Sequence, residues 1–224
     1  MTDPGRPLAV VVLISGGGTN LQALIDAQAQ GLPIRIQAVI SNRPDVYGLE
    51  RARRAGIPTT VVDHRAYPDR EAFDRALAAE IDRHHPGLVV LAGFMRILTP
   101  DFVHHYQGRL LNIHPSLLPK FQGLHTHERA LRAGEKEHGA SIHFVTEELD
   151  GGPVILQAKV PVLPDDTPEV LAARVLEQEH RLYPLAVRWF AEGRLALQEG
   201  RITFDGHPLS RPLILQELAG EDAG

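Results

Sequence analysis

Two unbroken apolar runs, Leu8–Ile14 and Leu88–Ala92, set the strongest limit on what this chain can fold into. Each is far shorter than the roughly 18–20 residues that a membrane helix needs. Each is also too continuously apolar for a strand with one wet face, which would alternate. Val-rich runs of this kind are strands buried on both faces, and that burial calls for a parallel sheet covered by helices. The intervening segments comply. Ser15–Thr19 ends the first run with three glycines, and Asn20–Gln30 then reads as a helix. Ile34–Ile40 reads as a strand, Tyr47–Ala55 as a helix stopped by Gly56, and Thr59–Val62 as a third strand. Asp69–His85 carries Phe73, Leu77 and Ile81 on one helical face.

The alternation continues more loosely. Thr99–Tyr106 predicts a helix with Pro100 in its first turn, and Arg109–Ile113 a fifth strand. His127–Ala133 reads as a short helix closed by Gly134. Ser141–Thr146 and Val154–Val160 read as an antiparallel pair across Asp150-Gly151-Gly152-Pro153. Thr167–Glu192 is a long helix that Pro184 is expected to kink or divide. After it only one weak strand, Arg201–Phe204, precedes a polar end. The expected class is α/β: an open, mostly parallel, Rossmann-like twisted sheet with helices on both faces and an antiparallel C-terminal portion. With no repeat or linker, residues 8–195 read as one domain, 1–7 as a flexible tail and 196–224 as an extension of the same domain.

Composition removes several chemistries. There is no cysteine, hence no disulfide, thiolate nucleophile, Cys-ligated zinc or iron–sulfur cluster. A net charge of −5 without a basic block argues against duplex nucleic acid as a partner. Asp3 precedes the first apolar run and no small-residue cleavage site accompanies it, so a secretory signal is not expected. The expectation is a soluble, cytoplasmic protein, monomeric or homodimeric. Of the twelve histidines, His84-His85, His104-His105 and His125-x-His127 lack the spacing and carboxylates of a recognisable metal site, and no metal is expected.

Three segments carry polar chemistry. Ser15-Gly16-Gly17-Gly18-Thr19-Asn20, between strand and helix, has the form of a phosphate loop. Its glycines let backbone approach an anion, and the helix start offers N–H groups and the positive dipole end. The spacing matches neither a dinucleotide fingerprint nor a Walker A loop. The same residues also suit a plain tight turn capped by Thr19 or Asn20. Leu110–Pro119 ends a strand with Asn112 and His114 on one face, an amide beside an imidazole. That pair suits a reaction that develops an oxyanion and moves a proton. Glu147–Pro153 is a glycine-rich turn whose Asp150 could orient and charge-stabilise His114, although locally it is also an ordinary turn.

Together and in this order, the segments resemble the phosphoribosylglycinamide formyltransferases of purine biosynthesis that use 10-formyltetrahydrofolate. The matching pieces are Val12-Leu13-Ile14-Ser15-Gly16-Gly17-Gly18-Thr19-Asn20-Leu21-Gln22, Leu91–Leu98, Leu111–Pro119, His138–Val145 and Leu149–Gln157, within roughly residues 8–195. The resemblance implies a catalytic trio of Asn112, His114 and Asp150. It implies that Gly18, Thr19, Asn20 and Glu179 hold the ribonucleotide. It implies a folate cradle of Arg70, Met95, Arg96, Ile97 and Leu98, with Asn112 and the loop Thr146, Glu147, Glu148, Leu149 and Asp150. The cosubstrate would be 10-formyltetrahydrofolate, the partner substrate glycinamide ribonucleotide, and no metal or redox cofactor would be required. Methionyl-tRNA formyltransferase and formyltetrahydrofolate deformylase share part of this logic, but each would carry a further domain for which the chain leaves no room. A nucleotide-binding module without catalysis is the alternative from another class.

Overall fold

The computed structural model describes residues 5–220, and the expected tail as far as Pro4 lies outside the described residues. The fold is α/β, with mostly parallel, mixed β-structure, helices on both sides and a small antiparallel sheet. The chain forms two compact units, one up to Leu111 and the other from Asn112 onward.

In the first unit the apolar runs are strands, as their composition requires. Strand β1 (Leu8–Ile14) lies between β2 (Ile34–Ser41) and β4 (Leu88–Leu91), parallel to both, and β2 pairs with β3 (Thr59–Val61). The order β4-β1-β2-β3 reverses beside β1, a topological switch point, and ligands bind beyond the carboxyl ends of strands at such points. Val10–Ile14 and Leu88–Val90 have no exposed surface, so these strands are buried on both faces. Helices α1 (Thr19–Ala29), α2 (Tyr47–Arg54), α3 (Arg70–Asp82) and α4 (Pro100–His105) complete the unit. Phe73, Leu77 and Ile81 are buried along α3. Asp69 caps this helix at the Ala72 N–H, 2.7 Å away, and Thr99 caps α4. The α3 helix ends three residues earlier than its periodicity suggests, because His85 precedes Pro86 and a residue before proline leaves the helical region.

β5 (Leu110–His114) runs through the division. In the second unit its end lies beside β6 (Glu137–Phe144), which pairs antiparallel with β7 (Val154–Pro161) as expected. Helix α5 (Thr126–Arg132) and helix α6 (Pro168–Ala191) pack in the same unit, α6 against β6 and β7. Pro184 does not divide α6. The surrounding Leu182, Tyr183, Leu185, Ala186, Val187 and Trp189 are buried, and that burial outweighs the cost of about 3 kcal/mol that an interior proline carries.

The C-terminal part is more ordered than its polar composition suggests. β8 (Leu195–Gln198), β9 (Arg201–Phe204) and β10 (His207–Pro208) form an antiparallel sheet, and β11 (Leu213–Ile214) adds parallel to β7. The two hairpin turns, Glu199-Gly200 and Asp205-Gly206, are left-handed at both residues, as tight primed turns require. Arg194 forks onto Asp205 at 2.8 and 2.9 Å. Among the described residues no helix is long and apolar enough to cross a membrane.

Candidate active site

The glycine loop follows β1 into α1. Gly18 adopts φ +75°, and a side chain there would come within 2.8 Å of Gly48 Cα. Gly48 N–H donates to Gly16 O at 3.1 Å and Arg51 Nε to Gly17 O at 2.7 Å, so α2 props the loop from behind. Gly18, rather than Thr19 or Asn20, is the N-cap of α1. Thr19 is exposed and Asn20 buried at this helix start.

The same unit brings the loop after β4 against it. Ser15 Oγ donates to Asn42 Oδ1 at 2.6 Å and accepts from the Met95 N–H at 2.8 Å. One hydroxyl thus ties the ends of β1, β2 and β4 together at the switch point. Further along, Asp74 on α3 accepts from the Thr99 N–H at 2.7 Å. Burial raises the Asp74 pKa, opposed by this bond and by the charges of Arg70 and Arg96. Arg96 also lies over the Phe73 ring, 5.6 Å from its centroid. Arg70 and Arg96 therefore both lie near Asp74, and Met95 and Ile97 on either side of Arg96 are 67% and 54% exposed.

The second unit assembles the trio. His114 and Asp150 side chains are 8% and 7% exposed, with His114 Nδ1 3.5 Å from Asp150 Oδ2. The His114 Nε2–H donates to the Phe121 carbonyl at 2.8 Å. Asn112 Nδ2 lies 3.2 Å from His143 Nε2. His143 Nδ1 lies 3.0 Å from the Phe144 carbonyl, so Nδ1 carries the hydrogen and Nε2 accepts from the Asn112 amide. Burial lowers the His143 pKa, which keeps that acceptor available. One Asn112 N–H is held and the other is left for a ligand.

Asp150 is reached through a turn that only its glycines permit. A side chain on Gly152 would collide with the Phe144 carbonyl. Asp150 itself sits at φ +52°, an unusual conformation for a residue with a Cβ. Its Oδ2 accepts from the Gly123 N–H at 2.9 Å. Thr146–Leu149 lead into this turn, with Leu149 57% exposed. Glu179 is buried on α6. The Pro115–Pro119 exit is fixed by the buried Ser141 hydroxyl, which donates to Ser116 O and accepts from the Leu118 N–H and from Gln157 Nε2.

Three groups here are not evident from local sequence: His143, the Phe121 carbonyl and the Gly123 N–H. For His143 a signal existed, since Ser141 and His143 alternate along one strand face. His127 Nδ1, half-buried, and His138 Nε2, buried, form a further pair at 3.1 Å. Burial lowers both, His138 to about 4, with the neighbouring imidazoles adding to the shift.

Comparison with known proteins identifies the family. The family described as formyl transferase matches residues 8–187. The phosphoribosylglycinamide formyltransferase of Escherichia coli is 59% identical over 89% of this chain and 95% of its own length. The Haemophilus influenzae protein of the same name is 49% identical over 90% and 96%. A solved phosphoribosylglycinamide formyltransferase from Coxiella burnetii is similar with a TM-score of 0.90 and 55% identity, covering 93% of this chain and all of that one.

Proposed function

The chain belongs to the formyl transferase family, and on that premise we propose that Asn112, His114 and Asp150 transfer a formyl group from 10-formyltetrahydrofolate to the amino group of 5′-phosphoribosylglycinamide. The products are N-formylglycinamide ribonucleotide and tetrahydrofolate, a step of de novo purine biosynthesis. The observation that carries this reading is the nearly buried imidazole and carboxylate, 3.5 Å apart, in one unit with an amide that keeps one N–H for a ligand.

The amine attacks the formyl carbon, a C–N bond forms, and the carbonyl π pair moves onto oxygen. The unused Asn112 N–H and the His114 Nδ1–H donate to that oxyanion. The Phe121 carbonyl holds Nε2–H, so the imidazole presents Nδ1 on the side of Asp150. The 3.5 Å separation is too long for a strong hydrogen bond, which leaves Nδ1 open to a substrate oxygen beside Asp150. The proton leaving the amine passes to Asp150, directly or through water. Collapse of the intermediate breaks the bond to the folate nitrogen, which takes up a proton. Oxyanion donors of this kind are each worth about 10²–10³ in rate, and proton transfer about 10²–10⁴. Holding both substrates in attack geometry supplies the remainder.

Binding roles follow the family pattern. Gly18, Thr19 and Asn20 hold the ribonucleotide phosphate at the start of α1, and Glu179 contacts the same substrate. Arg70 and Met95, Arg96, Ile97 and Leu98 contact the folate, as do Asn112 and Thr146, Glu147, Glu148, Leu149 and Asp150. Substrates and products are small molecules handled in the cytoplasm.

The test is tetrahydrofolate release from 10-formyltetrahydrofolate with and without glycinamide ribonucleotide. The reading requires release that depends on the ribonucleotide and matches it mole for mole. Equal release to water alone would make the chain a deformylase, and ribonucleotide binding without release would make it a binding module.

A further inference from the structure

Residues 121–124 touch both members of the His–Asp pair. The Phe121 carbonyl accepts from His114 Nε2 at 2.8 Å. Two residues later the Gly123 N–H donates to Asp150 Oδ2 at 2.9 Å, and the Gln122 side-chain amide donates to the Asp150 carbonyl at 3.2 Å. Alignment of the imidazole with the carboxylate therefore depends on the path of four residues. That path has no helix or ladder of its own, and Phe121 and Gly123 sit at φ +54° and +85°. A non-glycine residue in the left-handed region persists only where its neighbours over-determine it.

One side chain does most of the determining. On the second turn of α5, Arg129 Nη1 donates to Gln122 O at 2.6 Å and to Leu124 O at 3.0 Å. Its guanidinium carbon also lies 5.4 Å from the centroid of the Phe121 ring. A single cation thus grips the carbonyls on either side of Gly123 and covers the ring before them. The helix that carries it is anchored in turn, since Thr126 Oγ1 donates to Pro115 O at 2.6 Å, just past His114.

We propose that Arg129 is a positioning residue for formyl transfer: by pinning the Gln122 and Leu124 carbonyls it sets the Gly123 N–H on Asp150 and the Phe121 carbonyl on His114. It fixes the ring orientation and the hydrogen on Nε2 without touching either substrate. The inference rests on the reading of His114 and Asp150 given above. Arginine is suited to this role because its charge strengthens both bonds while its planar head packs on the aromatic ring. Lysine keeps the charge but not the planar head, and methionine keeps only the stem.

The test is a double-mutant cycle between Arg129 and His114 in the formyl-transfer assay. Arg129→Met should lower kcat by about 10–100-fold, the range seen when supporting groups around a site are removed. KM for both substrates should stay within about twofold, because no binding contact is lost. Arg129→Lys should recover part of the loss. In a His114→Ala background Arg129→Met should cost much less, since one of the two groups it positions is gone and only the Gly123–Asp150 contact is left to disturb. An equal fold-loss in both backgrounds, or a rise in KM at unchanged kcat, would overturn the positioning role. Should Arg129→Met not fold, Arg129→Lys carries the same cycle. Wild-type turnover in His114→Ala alone would instead sink the reading of the site, so the two failures are distinguishable.

Discussion

The two units build their candidate sites from different materials. Up to Leu111, the glycine loop and the loop after β4 offer backbone N–H groups, one shared hydroxyl and exposed apolar side chains. From Asn112 onward, the site is made of buried titratable side chains held by other side chains and by carbonyls. A backbone site binds an anion by dipoles that need no proton and barely change with pH. A site of imidazoles and carboxylates can move protons, but only if each group is locked in one orientation and protonation state. The difference separates holding a substrate from transforming it, and it predicts that lesions in the two units will differ in kind.

The largest effect is expected at the catalytic side chains. His114→Ala and Asn112→Ala should each lower kcat by about 10²–10³ or more at saturating substrates, with ribonucleotide affinity nearly unchanged. Tetrahydrofolate release under steady state gives kcat, and titration calorimetry with the ribonucleotide gives affinity. A kcat within a few-fold of wild type would remove these groups from the chemistry. A matched loss of ribonucleotide affinity would erase the contrast between the units.

What could be read from the sequence follows the same division. Local patterns sufficed where structure depends on local composition: the buried runs of β1 and β4, the Phe73–Leu77–Ile81 face of α3 and the glycine loop. Period-two spacing put Asn112 and His114 together, but nothing local says that Asp150 meets His114 across 36 residues. His143 shares a strand face with Ser141, but nothing in its spacing says that it meets Asn112 on the neighbouring strand. Phe121 and Gly123 act through backbone atoms, which carry no side-chain identity to read. Pro184 argues for a break that burial of the α6 face overrides. Of the C-terminal sheet only Arg201–Phe204 is legible, because its partner strands are two to four residues long, although Asp205-Gly206 is a hairpin signal.

The contrast in titratable groups gives the next effect. Among the described residues the buried histidines are His114, His138 and His143, all beyond Asn112. His138 binds a proton at about 4 in the folded chain, against 6.5 for an ordinary imidazole. Between those values the unfolded chain holds more protons, so stability is fully present above pH 6.5 and falls as pH drops toward 4. The slope approaches 1.4 kcal/mol per pH unit, or about 3 kcal/mol over the whole span. Denaturant unfolding at several pH values should show His138→Asn losing less on acidification than wild type, by up to that amount. Parallel stability–pH curves for the two proteins would mean that His138 does not titrate as its burial implies.

The smallest effect tests the backbone site. Gly18→Ala places a Cβ 2.8 Å from Gly48 Cα and forces an L residue to φ +75°. The left-handed conformation alone costs about 1–2 kcal/mol. If the strain is relieved by turning the loop N–H groups, ribonucleotide affinity falls by about tenfold for each 1.4 kcal/mol lost. At saturating ribonucleotide, kcat should remain within about twofold, because no group that donates to the oxyanion or moves a proton has shifted. Gly16→Ala, whose Cβ would meet nothing within 4 Å, should show a markedly smaller loss. Calorimetric titration of the wild type and both variants with the ribonucleotide and with the dephosphorylated ribonucleoside separates strain from phosphate contact. If Gly18→Ala binds ribonucleotide as tightly as wild type, the phosphate is held elsewhere. If it also weakens the ribonucleoside to the same extent, the lost contact is not to the phosphate. Only a loss confined to the phosphorylated ligand and to KM leaves the backbone loop as the part that holds and the buried side chains as the part that reacts.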